Sequence, residues 1–158
     1  MVTQPLSPDR QSSDPQSPNT QADRGSALVI AIAALAGLLA GVGVALYLQT
    51  LSIDIATSHA AIALAAAGAV YAGSGLSSHL KVSAALEMAI ALTFILVAAL
   101  GAIHSPRAIA IGFFAHALWD VLHHVRLVPT PIQRWYPPLC AAFDVAVGCG
   151  LWLLTRPA

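Results

Sequence analysis

The segment His116-Ala117-Leu118-Trp119-Asp120-Val121-Leu122-His123-His124 places four potential metal ligands within nine residues of apolar sequence. On a helix of 3.6 residues per turn, His116, Asp120 and His123 fall within about 60° of one another, and His124 stands about 40° beyond Asp120. Imidazoles and a carboxylate on one stripe are the ligand set of Zn, Fe or Mn, with carboxylate-rich versions favouring iron or manganese. Two further carboxylates, Glu87 and Asp144, interrupt other apolar runs. Ionisable groups inside such runs are costly and mark functional sites by default.

The elements that must position these groups are membrane helices. The chain has 158 residues, 58% hydrophobic and 9% charged, with net charge zero; soluble proteins run at about 45–50% apolar and about 25% charged. Seven Lys/Arg and seven Asp/Glu cannot cover a soluble surface, and Asp9, Arg10, Asp14 and Asp23 lie in the first 23 residues. A soluble enzyme and a disordered regulator are thereby excluded. With no basic run, nucleic acid is not an expected partner. The lipid bilayer is.

Residues 1–25 are rich in Pro, Ser, Gln and Asp. They have almost nothing apolar to bury, so a disordered tail is expected. Five spans follow, at about 26–48, 57–77, 82–103, 108–128 and 137–154, together forming one transmembrane domain over 26–158. Period-two alternation is absent, so the fold class expected is all-α, a polytopic transmembrane helical bundle. The last two spans are polar enough that hydropathy alone can miss them. Between them lies VPTPIQRWYPP, whose prolines forbid continuous helix and whose Trp135 and Tyr136 suit a membrane interface.

Lys and Arg set the expected orientation. Arg10, Arg24, Lys81, Arg126 and Arg134 fall on the N-terminal side, and Arg107 and Arg156 on the other. That bias places the N-terminus in the cytoplasm of a bacterial plasma or internal membrane. Counting 1.5 Å per residue from the cytoplasmic ends, Glu87 lies about 9 Å inward, and Asp120 and Asp144 about 10 Å. Three carboxylates on three spans thus share one layer, bracketed by His116 and His123.

Such a layer needs protons, cations or a metal to compensate its charge. Three readings follow. In the first, His116, Asp120, His123 and His124 ligate a metal, and Glu87 and Asp144 serve as further ligands or general base toward a lipid or other apolar substrate. In the second, Glu87, Asp120 and Asp144 titrate in a small proton-coupled transporter. In the third, the cluster is a hydrogen-bonded network that fixes helix packing.

Lesser candidates are His79, at the cytoplasmic end of span two, and Cys140, one turn before Asp144. Trp119 is read as facing lipid or packing partners, and Arg126 and Arg134 as anchors at the boundary. His59 and His104 sit near the opposite face. Cys140 and Cys149 are about 180° apart on one helix and cannot pair within it. The Gly37-Leu38-Leu39-Ala40-Gly41 motif permits close helix approach and suggests a homo-oligomer contact through Gly37 and Gly41.

The string HALWDVLHH, of HxxWDxxHH type, with an Asp some twenty residues on in an apolar helix, resembles an uncharacterised family of small bacterial integral membrane proteins over residues 112–150. That resemblance implies a topology and no activity. The site is also similar to the histidine boxes of membrane desaturases and hydroxylases, although Asp120 stands where HxxxH has its second histidine. A looser likeness is to the ceramidase-like zinc hydrolases of membranes, which have more spans. Both likenesses concern site chemistry alone.

Overall fold

The computed structural model describes residues 20–77, 81–128 and 130–156. Among them the chain is all helical: α1 (Thr20–Gln49), α2 (Ile53–Leu76), α3 (Lys81–His104), α4 (Pro106–His124) and α5 (Tyr136–Leu154). Helix α1 begins before the apolar run, so residues 20–25 of the expected tail are helical. Extending an established helix adds one hydrogen bond per residue fixed, which is far easier than nucleating one, and TQADRG contains no proline. The remainder of the tail, residues 1–19, lies outside the described residues, as does His79.

Breaks between helices follow local chemistry. Helices α3 and α4 are separated by Ser105 alone, held extended at φ −164°, ψ 108°. The proline that follows disfavours helical backbone at Ser105 and itself fits the first helical turn, where its missing N–H costs nothing. Pro137 and Pro138 open α5 for the same reason. Helix α4 stops at His124, shorter than the expected span to Val128. There Arg126 adopts a left-handed φ of 60°. The Leu127 amide donates to the Leu122 carbonyl at 3.0 Å and the Arg126 amide to the His123 carbonyl at 3.1 Å. This pair of bonds closes the helix in the manner that glycine usually provides.

The helices alternate in direction. Helix α1 runs parallel to α5, with Gly37 against Leu139, Gly41 against Phe143 and Ala45 against Gly150. A β-carbon on Gly37 would lie 2.0 Å from the Leu139 carbonyl oxygen, so backbone meets backbone there. The close approach permitted by Gly37 and Gly41 is made within the chain, to α5. Helices α2 and α3 are antiparallel, with Gly68 against Phe94 and Gly75 against Glu87. Helix α4 packs on α5 and α3, with Gly148 beside Phe114 and Gly101 beside Ile109. Small residues, among them Ala56, Ala60, Ala91, Ala98 and Ala110, fill the interfaces, as close packing between membrane helices requires.

Four helices (α1, α2, α3 and α5) are long and apolar enough to cross a membrane. Helix α4 matches α5 in length at 19 residues, but its histidines and Asp120 lower its hydropathy. Its outer side is nevertheless apolar, with Ile111, Leu118 and Val121 exposed. The same holds around the bundle: Leu28, Leu39, Ile62, Leu92, Ile103 and Leu153 face outward, while Glu87, His116, Asp120, His123 and Asp144 are buried. Apolar outside and charged inside is the inverse of a soluble fold.

Candidate metal and acid–base centre

The buried polar groups form two neighbouring sets joined by one aromatic ring. The first spans α4 and α5. His116 Nδ1 is 2.6 Å from Asp144 Oδ2 and 3.5 Å from Asp120 Oδ2. The three side chains present ligand atoms that all lie within 4.8 Å of one another. Each is at most 1% exposed. Helix α4 supplies His116 and Asp120 one turn apart on one stripe, and antiparallel α5 brings Asp144 opposite them. From α2, the Tyr71 hydroxyl donates to Asp120 Oδ1.

Two atoms of this set, His116 Nε2 and Asp120 Oδ2, are buried and have no hydrogen-bond partner among the described residues. Buried polar atoms are nearly always satisfied, because leaving one bare costs about 1–3 kcal/mol and more for a charged group. His116 Nε2 and Asp120 Oδ2 are thereby left as open donor atoms of the kinds a metal ion accepts. The residues therefore fit a metal ion.

The second set centres on Glu87 of α3. His123 Nε2 lies 2.8 Å from Glu87 Oε1, and the Thr130 hydroxyl donates to the same oxygen at 2.6 Å. Trp119 Nε1 donates to Glu87 Oε2 at 3.3 Å. The other His123 nitrogen, Nδ1, donates to the Trp119 carbonyl oxygen at 3.0 Å. Glu87 comes this close because Gly75 leaves it room: a β-carbon there would be 2.7 Å from the Glu87 Cβ. Ser83, one turn earlier on α3, is buried and its hydroxyl has no hydrogen-bond partner among the described residues.

Tyr71 connects the two sets. Its ring centroid is 4.4 Å from that of His123 and 5.5 Å from that of His116. Phe94 packs edge-on to His116 at 4.9 Å, closing the apolar side.

The expected convergence of Glu87, Asp120, Asp144, His116 and His123 is present, but divided. Asp144 joins His116 and Asp120, and His123 instead serves Glu87. His124 is exposed and stands apart from both sets, because α4 ends at that residue and the 40° offset from Asp120 turns it off the buried stripe. Cys140 is half-buried and interacts with Tyr136, one turn before it. Trp119, expected against lipid or packing partners, donates to Glu87. Sequence reasoning gave no role to Tyr71 or Thr130. A lone tyrosine in an Ala/Gly-rich span was the available signal for the first; Thr130, in a proline-rich loop, offered none.

At the opposite end, Arg107 donates to the Thr155 carbonyl at 2.9 Å and lies 5.7 Å over the Trp152 ring, tying the start of α4 to the end of α5. His59, exposed, bonds the Ile55 carbonyl, and His104 closes α3. Neither approaches the buried layer.

No curated protein and no solved structure matches the chain. A family of unknown function, DUF6010, is matched over residues 27–157, which takes in α1 from residue 27 onward, α2 to α5 and every residue of both buried sets, and the chain belongs to that family.

Proposed function

We propose that this chain is a membrane-embedded, metal-dependent protein acting on a lipid or other apolar substrate from the cytoplasmic leaflet. His116, Asp120 and Asp144 hold Zn, Fe or Mn. The observation that carries this reading is the buried triad whose ligand atoms lie within 4.8 Å, with His116 Nε2 and Asp120 Oδ2 unpartnered among the described residues. A metal held by these residues would supply Lewis acidity or an activated water. Tyr71 holds Asp120 in place by its hydroxyl. Glu87 and His123 form the neighbouring acid–base pair, with Thr130 and Trp119 fixing the carboxylate.

Metal analysis tests this. Protein purified in detergent without chelator, then offered Zn, Fe and Mn, should retain about one equivalent and be stabilised by it. Wild-type protein that stays metal-free after reloading would overturn the assignment. The orientation, with the N-terminus cytoplasmic and the C-terminus outside, follows from the Lys/Arg bias and the alternating helices. A C-terminal reporter active only in the cytoplasm would reverse it and move the Glu87 layer to the other leaflet.

A second reading is favoured by the bonds themselves. Tyr71 to Asp120, His116 to Asp144 and His123 to Glu87 link α2, α3, α4 and α5. A network of this kind can serve to fix helix register alone. Under it, variants lose stability and no metal is retained.

A further inference from the structure

Beyond the buried layer, the cytoplasmic end of α4 carries a cavity of about 320 Å³, set between the helix end and the loop that leads to α5. His124, Arg126 and Arg134 line its wall, and His123 and Thr130 its floor. No acidic side chain lines it. Among the described residues, neither the Arg126 nor the Arg134 side chain has a hydrogen bond or ion pair. Arg107, by contrast, is satisfied by the Thr155 carbonyl and the Trp152 ring. Two unpaired guanidinium groups with two imidazoles in one concavity make an electropositive site of a size that takes a small ligand.

Backbone geometry singles out one of these arginines. Arg126 occupies the left-handed position that closes α4, where glycine is cheaper and a long side chain is unusual. A residue kept at such a position against its backbone preference points to a task for its side chain. Here the side chain lines the cavity. Guanidinium groups carry five fixed donors that match the oxygens of a phosphate in bidentate fashion.

The surroundings set the class of molecule. Val125 and Leu127, on either side of Arg126, are 55% and 72% exposed, and Trp135, at the start of α5, is 41% exposed. Apolar side chains flank the basic cavity, as they must where a head group is gripped at the membrane boundary while its chains remain in lipid. The floor then reaches the buried layer: His123 and Thr130 both bond Glu87 Oε1, at 2.8 and 2.6 Å.

We infer that this cavity binds an anionic phosphate group through Arg126 and Arg134 and holds it against the His123–Thr130–Glu87 set. The phosphate belongs either to a phospholipid head group or to a soluble phosphate compound. That the bound molecule is then acted on rests on the proposed function; the binding itself does not.

The test uses full-length protein in detergent with three short-chain or inorganic probes. Binding of dioctanoyl phosphatidic acid and dioctanoylglycerol is followed by native mass spectrometry, and of inorganic phosphate by calorimetry. Phosphatidic acid binds wild-type protein, and the double variant Arg126→Gly/Arg134→Gln weakens it by about tenfold or more, the loss expected for charge-assisted hydrogen bonds. Glycine suits the left-handed position, so the variant removes the charge without threatening the fold, and a thermal midpoint no lower than that of wild type confirms this. Inorganic phosphate binding as tightly as phosphatidic acid assigns a soluble ligand; much weaker phosphate binding assigns a lipid. Either result supports the subsite. It is overturned if neither anion binds, if the double variant binds as wild type does, or if dioctanoylglycerol binds equally well.

The same titration on chelator-treated protein separates the two proposals. Wild-type protein that stays metal-free after reloading with Zn, Fe and Mn yet binds phosphatidic acid sinks the metal assignment and leaves the subsite standing. Retained metal with no anion binding does the reverse. Anion binding that disappears with the chelator places the anion elsewhere and overturns the subsite.

Discussion

Replacing His116 and His123 separately by alanine distinguishes residues that sequence spacing treats alike. His116 lies between the two carboxylates of the triad, 2.6 Å from Asp144 and 3.5 Å from Asp120. Removing its ring takes one of three ligands and leaves two buried carboxylates facing each other with no imidazole between them. His123 touches the triad only through the Tyr71 ring, at 4.4 Å between centroids. Loss of an outer partner typically weakens metal binding by about 10–100-fold, so a lost ligand should exceed about 100-fold and the more distant His123 should stay within about tenfold. Metal at 100 times the wild-type dissociation constant stabilises the folded protein by about 2.7 kcal/mol. A hundredfold weaker site at the same concentration gives about 0.4 kcal/mol, and a tenfold weaker one about 1.4 kcal/mol. Unfolding in mixed detergent with and without metal, together with metal content by mass spectrometry, reads these values. Equal losses from the two variants would refute the division of the polar layer into a metal set and a Glu87 set.

The remaining predictions concern single contacts. Tyr71→Phe removes the hydroxyl that donates to Asp120 and leaves both carboxylate oxygens bare. Stability in detergent should fall by about 1–3 kcal/mol, and no measurable change would show that Tyr71 does not carry Asp120. Gly37→Ala forces a β-carbon to within 2.0 Å of the Leu139 carbonyl oxygen, where backbone on both sides cannot yield. Separation of α1 from α5 should cost about 1–3 kcal/mol; a disulfide between cysteines introduced at these two helices reports it, and unchanged crosslinking refutes the packing. Arg126→Gly removes a left-handed cost of about 1–2 kcal/mol against a glycine entropy cost of about 0.5–1 kcal/mol. A gain of about 0.5–1 kcal/mol in unfolding free energy is expected, and a loss of that size would mean that the side chain, not the backbone, dominates at this position.

Sequence alone determined the class of protein and the existence of a polar layer. Runs of some twenty predominantly apolar residues leave the backbone no stable option in hydrocarbon except the helix, so five helices were legible down to a few residues at most ends. That Glu87, Asp120 and Asp144 come close along their helices was expected from a rise of 1.5 Å per residue, and all three are buried in the bundle. His116 and Asp120 were paired correctly for the same reason: their spacing of four is a property of one helix. Which groups on different helices meet was decided by the tertiary structure. Helix rotation and pairing depend on where small residues let backbones approach, as at Gly75 beside Glu87 and Gly37 beside Leu139. Those contacts gave Asp144 to His116, gave His123 to Glu87, and brought in Tyr71 from α2. Thr130 depended on the path of a proline-rich loop folded back over the layer, and His124 on the one residue at which α4 stops. A single chain written in order carries the angle and depth of each group within its own helix, but the neighbour it meets is fixed only when the interfaces close.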